Sequence, residues 1–231
     1  MTEMLTLKHE KETWYPASIA TLEEHLGFLI FKNDYFSPNE AYPIIKNISY
    51  SLQYIEFLNR VILDISMSSV IWRQNVKSFV VHGAAVIEAI FNVLVITTGH
   101  ANKELWKKVS TLKSPEYVLS GASYKNETNI MTKLAEPVIS QMTFDQLAKK
   151  VERKKLLGNS FTSYSKIKPI RQLRNKIHIH DSDHLNDTDW NNFNKSELEL
   201  ISNVLFHVLT SEVFEGSNYS ETFEYLNTAN K

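Results

Sequence analysis

The sequence predicts an all-α fold, an antiparallel helical bundle with extra N-terminal and connecting short helices, and three observations predict it. Apolar residues recur every three or four positions over long stretches, the signature of one buried helix face. No proline stands between Pro43 and Pro115, which leaves room for two long helices. Alternating strand patterns are nearly absent. The 231 residues suffice for one sizeable core. They divide into an N-terminal extension (1–36), a helical domain (37–214) and a polar C-terminal tail (215–231).

In chain order, Ser37 and Pro38 supply an N-cap and a first-turn proline, with Pro43 set to restart or kink the helix that follows. Leu52, Ile55, Leu58, Ile62 and Ile65 continue that helix as one apolar stripe. A second long pattern runs through Val76, Phe79, Gly83, Val86, Ile87, Ile90, Phe91 and Leu94 and ends near Gly99, placed as a C′ glycine. His82, Glu88 and Asn92 interrupt this stretch. A lipid-spanning helix would have to desolvate all three, so it reads as a buried helix, with no membrane partner. A shorter helix is expected over Asn102 to Leu112. Loop and short helix are expected over 114–142, broken by Pro115, Gly121 and Pro137. Thr143 and Gln146 form a capping box for a helix stopping around Gly158. Pro169 opens a helix with Ile170, Leu173 and Ile177 on one face, residues 181–193 form a polar loop, and Asn194 or Ser196 caps a last helix through Leu209.

Composition excludes several chemistries. Without cysteine there is no disulfide, thiolate metal site or cysteine nucleophile. The six glycines stand too far apart for a dinucleotide fingerprint or a P-loop. The amino terminus lacks the pattern of a signal peptide, and the expected location is cytoplasmic. Charge is segregated: residues 65–180 carry 18 Lys+Arg against 7 Asp+Glu, a net of +11, whereas 1–64 carry −4 and 181–231 carry −8. A segment this basic can attract phosphate, or pair with its acidic flanks.

The chemistry concentrates between Pro169 and His184, PIRQLRNKIHIHDSDH. At about 100° per residue on a helix, Arg171, Arg174 and His178 share a sector beside the apolar stripe. Asn175 lies at its edge and His180 on the other flank. Guanidinium offers fixed, planar donors to phosphate oxygens, and imidazole exchanges protons near neutrality, so the set suits phosphodiester chemistry.

Arg174-Asn175 followed closely by histidine resembles the motif of HEPN ribonucleases, an arginine, a polar residue and a histidine after four to six residues. Five residues separate Arg174 from His180 and six separate Arg171 from His178, while three separate Arg174 from His178. The spacing favours His180 and the helical wheel favours His178. The stretch Gly83 to Phe91, GAAVIEAIF, is similar to the earlier glutamate-bearing HEPN helix. The resemblance implies a homodimer with the active site at its interface, acting on RNA without metal or cofactor. It implies a setting in toxin–antitoxin pairs or phage defence, with an antitoxin or regulatory protein as a further partner. A histidine would assist attack of the 2′-hydroxyl on the adjacent phosphate, leaving a 2′,3′-cyclic phosphate. Arg174 would hold the phosphate and Asn175 would orient the histidine or the substrate. Glu88 would pair with Arg174 or Arg171. Lys149, Lys150, Arg153, Lys154 and Lys155 form a candidate RNA track, or simply a solvated helix face.

Two other readings compete. A non-catalytic helical dimer could bind RNA or protein with the same arginines. His178, His180 and His184, with Asp181 and Asp183, stand one residue off a metallo-hydrolase signature that needs strands leading into it. The remaining His9, His25, His82, His100 and His207 read as ordinary surface or core residues, and Trp72, Trp106 and Trp190 as core or interface anchors.

Overall fold

The structure, a computed structural model, describes residues 6–7, 14–32, 35–176 and 187–227. The chain separates into two units, one made of residues 1–99 with 143–231 and the other of 100–142.

The first unit is built on capped helices. Helix α1 (Ile19–Ile30) starts where the Ser18 hydroxyl accepts from the Thr21 N–H. It buries Leu22, His25, Leu26 and Leu29, so part of the stretch read as an N-terminal extension belongs to the core. Helix α2 (Pro38–Asp64) opens with a Ser37–Glu40 capping box and runs unbroken through Pro43, whose missing N–H falls at the exposed end of the helix. Helix α3 (Ser69–Thr97) follows after a short link and packs along α2. It is also long and apolar enough to cross a membrane, with mean hydropathy 2.2 over its most apolar window, of which 61% is buried inside the fold. That burial is what a central helix requires, because α3 touches each of the other α-helices described in the unit. Gly83 lets α7 approach it: a Cβ there would lie 2.7 Å from Ile201 Cγ1.

Helix α4 (Phe144–Lys154) begins at the Thr143–Gln146 capping box. Helix α5 (Ile167–Asn175) starts two residues before Pro169, which therefore sits in the first turn, where a missing N–H costs nothing. The short α6 (Asp189–Asn192) leads to α7 (Lys195–Leu209), capped by Asn194. Between Phe214 and Asn227 the stretch read as a polar tail contributes to the core. A 3₁₀ turn over Ser220–Leu226 buries Phe223 and Leu226 completely. A two-residue bridge joins β1 (Thr6–Leu7) to β2 (Ile65–Ser66).

The all-α expectation is corrected here: the fold is mixed α/β, about 60% helical, with three two-stranded antiparallel sheets among the described residues. The second unit carries most of the strand. In it β3 (Lys103–Lys113) pairs with β6 (Glu127–Ile139), and β4 (Tyr117–Leu119) pairs with β5 (Ala122–Tyr124). Ser120 and Gly121 both have positive φ, 52° and 81°, and form the tight turn between β4 and β5. The helix expected over 102–112 and the loop and short helix expected over 114–142 are thus both replaced by a ribbon. The physical reason lies in the register shifts at Glu104/Trp106 and Lys108/Ser110. Each leaves one β3 residue out of the pairing, Leu105 against residues 134–137 and Val109 as a one-residue bulge, and with Leu112 these fall four and three apart and imitate a helix stripe. Their exposure, 49%, 63% and 60%, shows that the stripe faces no core.

Candidate functional site

Helix α5 holds its place by burying Ile167 and Ile170, which leaves Arg171 and Arg174 on the flank of the buried face. Being one turn apart, they reach different neighbours. Arg171 Nη1 lies 2.7 Å from Asp145 Oδ1 on α4, and Asp145 Oδ2 is also 2.7 Å from Lys149 Nζ. The Lys149 hydrogen bond, with the charges of Arg171, Lys149 and Lys168, holds the Asp145 carboxyl below its usual range. These groups line an open cleft of about 390 Å³ with Glu152 and Tyr164.

Arg174 Nη2 lies 3.4 Å from Glu88 Oε2 on α3, so of the two pairings open for Glu88 the structure makes the one with Arg174. At that distance the contact is longer than the 2.7–2.9 Å of a tight charge-assisted bond. The Arg174 side chain is 39% exposed. Among the described residues Arg174 has no second partner, so most of its five donors remain available.

The helix ends at Asn175, which is exposed, with Lys176 as its C-cap. The helix expected to continue to His180 is therefore described only to Asn175. His178, His180 and His184, and Ile177 with them, lie outside the described residues. The two ends of that stretch meet: Lys176 forms an ion pair with the nearly buried carboxylate of Asp187, which also accepts from Asn192 Nδ2 at 2.6 Å. Beyond it, Asp189 accepts from Lys77 Nζ at 2.8 and 2.9 Å and from Gln74 at 2.9 Å, and the Arg73 guanidinium stacks over Trp190 at 4.1 Å. The start of α3 thus anchors the chain just past the histidine-bearing stretch.

The candidate RNA track divides. Lys149, Arg153, Lys154 and Lys155 are exposed on α4 and its C-cap, and Lys150 is half-buried. Only Lys149 reaches the cleft beside Arg171. Asp145, Lys168 and Asp187 were missed from sequence. Asp145 reads there as an ordinary first-turn acid one turn before Lys149, and its partners on α5, Lys168 and Arg171, sit more than twenty residues away. Of the other histidines, His25 is buried, and Ser163 Oγ lies 3.0 Å from His207 Nδ1. Among the described residues no group of three or more His, Asp or Glu side chains is placed to hold a metal.

Comparison with protein-family models, curated proteins and solved structures finds no match for this chain.

Proposed function

We propose that this protein is a HEPN-type endoribonuclease that cuts RNA without a metal, working as a homodimer with the two α5 segments sharing one cleft. The observation that carries the reading is Arg174: a half-exposed guanidinium, held loosely by Glu88 of α3, in the last helical turn before His178 and His180. The 2′-hydroxyl attacks the adjacent phosphorus as its proton passes to one of these imidazoles. The 5′-oxygen then leaves with a proton returned by an imidazolium, giving a 2′,3′-cyclic phosphate and a 5′-hydroxyl. Arg174 takes up charge developing on the phosphate, and Asn175 orients the histidine or the substrate. The nucleophile belongs to ribose, so DNA is spared. Cytoplasmic action in phage defence or with an antitoxin fits such an activity.

Purified protein incubated with RNA in excess chelator should yield those ends, and Arg174→Ala should slow cleavage on the order of 10²- to 10³-fold with the fold retained. Either His178→Ala or His180→Ala should abolish it. Loss of activity in chelator would favour the metal site at His178, His180 and His184 instead. A second reading is favoured by the pairing of both arginines with carboxylates, which suits a non-catalytic module that binds RNA or protein. Intact RNA after incubation with wild type would decide for that module. A strictly monomeric species at high concentration would count against the shared cleft.

A further inference from the structure

The unit 100–142 presents a feature the arginine site does not use. In the β3–β6 register Trp106 lies opposite Lys133 and Lys108 lies opposite Met131. Directly opposed residues share a face with Cβ atoms about 5 Å apart, and residues two apart on a strand share it about 7 Å apart. Trp106, Lys133, Lys108 and Met131 therefore form one patch. Trp106 is 51% exposed and Met131 44%, and both lysines are exposed. On the same ribbon Lys113 pairs with Glu127 at 3.2 Å. Lys108 and Lys133 make no ion pair with any described residue.

We infer that this face of the ribbon binds single-stranded nucleic acid, RNA in particular, with a base stacked on Trp106 and the flanking phosphates held by Lys108 and Lys133. A two-stranded ribbon has no further layer of its own to cover a tryptophan, so the indole face stays open to a ligand. Charge selects the ligand. Protein–protein interfaces are depleted in lysine, whereas an aromatic platform bordered by free cations is how single strands are held without sequence preference. Stacking needs an unpaired base, which excludes a duplex as the preferred form. The patch shares no residue with the arginine site, and its occupancy does not depend on cleavage.

The test uses the full chain and a fluorescein-labelled 20-nucleotide 2′-O-methyl oligouridylate, which has no free 2′-hydroxyl and cannot be cut by the proposed reaction. Binding is read by anisotropy across a salt series. Wild type should bind saturably. Trp106→Ala should weaken binding roughly 5- to 100-fold, and Trp106→Phe, which keeps a ring, much less. Lys108→Gln with Lys133→Gln should reduce the slope of log K against log salt by about 1.4, two contacts at about 0.7 each. All these positions are exposed, so thermal melts should match wild type. No binding by wild type, unchanged binding by the variants, or equal affinity for a duplex of the same length would overturn the inference. So would variants that alter only the oligomeric mass, which would mark a protein-docking face. If RNA is never cut but this probe binds through Trp106, the catalytic reading fails and this one stands.

Discussion

Acidification should weaken the fold through His25, and the structure sets the size of the effect. The ring is 1% exposed and stacks on Phe214 with centroids 4.3 Å apart. Its Nε2 donates to the Leu209 carbonyl at 2.9 Å, and Nδ1 accepts from the Ser217 hydroxyl at 2.8 Å. This arrangement suits a neutral imidazole. Burial pushes the pKa from 6.5 down to about 4, with the Leu209 hydrogen bond opposing. Between those values the unfolded chain holds a proton that the folded one has shed, so stability rises with pH across the window. The contribution is complete above the unfolded value of 6.5 and is lost as pH falls towards 4. A shift of this size corresponds to about 3 kcal/mol, of which about 2 kcal/mol is gone by pH 5. Urea titrations at pH 7 and pH 5 on wild type and His25→Gln measure it, and wild type should lose about 2 kcal/mol more than the variant. Burial also lowers His82 and His207, and Glu212 and Glu215 line the same cleft as His25. All four remain in both proteins, so the difference isolates His25. Equal losses would refute the assignment.

Gly83→Ala should destabilise by about 1–3 kcal/mol, read as a lower urea midpoint, because the new methyl meets the fully buried Ile201 at 2.7 Å. Pairing that variant with Ile201→Val should recover part of the loss. Asp189→Ala should cost about 1–3 kcal/mol in a thermal melt, since it strands Lys77, whose side chain is only 13% exposed. The double variant with Lys77→Met should be more stable than Asp189→Ala alone.

Legibility followed the range of the interactions. Caps act within three residues, and Ser37, Thr143 and Asn194 all start helices where the pattern placed them. The stripes of α2 and α3 are equally local, and both helices stand. The ribbon was hidden because strand pairing joins residues such as Trp106 and Lys133, and because two register shifts interrupt the period-2 signal. Ser120-Gly121, a hairpin turn signal, reads as a mere break when no flanking strand is recognised. The burial of Phe223 was equally invisible, since a polar neighbourhood masks one aromatic anchor. At the candidate site, sequence placed Arg171 and Arg174 one turn apart but could not say which carboxylate each would meet. Asp145 is 26 residues from Arg171, and Glu88 is 86 from Arg174.

The difference between those two pairings is what separates a structural cation from a candidate catalytic one. Where this fold uses a cation as a clamp, it closes it: Lys77 contacts both oxygens of Asp189 at 2.8 and 2.9 Å, and Arg171 meets Asp145 at 2.7 Å. These contacts tie α3 to α6 and α5 to α4. Arg174 faces Glu88 at 3.4 Å through one nitrogen and stays 39% exposed. A group that only had to join α5 to α3 would gain from a shorter, forked contact. A group that had to receive a phosphate would instead need its charge aimed in advance and its donors left unfilled, because orientation settled before binding does not have to be acquired during the reaction. In the proposed enzyme Glu88 would fill that role, since its single 3.4 Å contact does not saturate the guanidinium. The same logic applies to the ribbon, where Lys113 is matched by Glu127 while Lys108 and Lys133 flank an open indole. In both places a cation lacks a tight partner, and that is the feature on which the two proposed nucleic-acid roles rest.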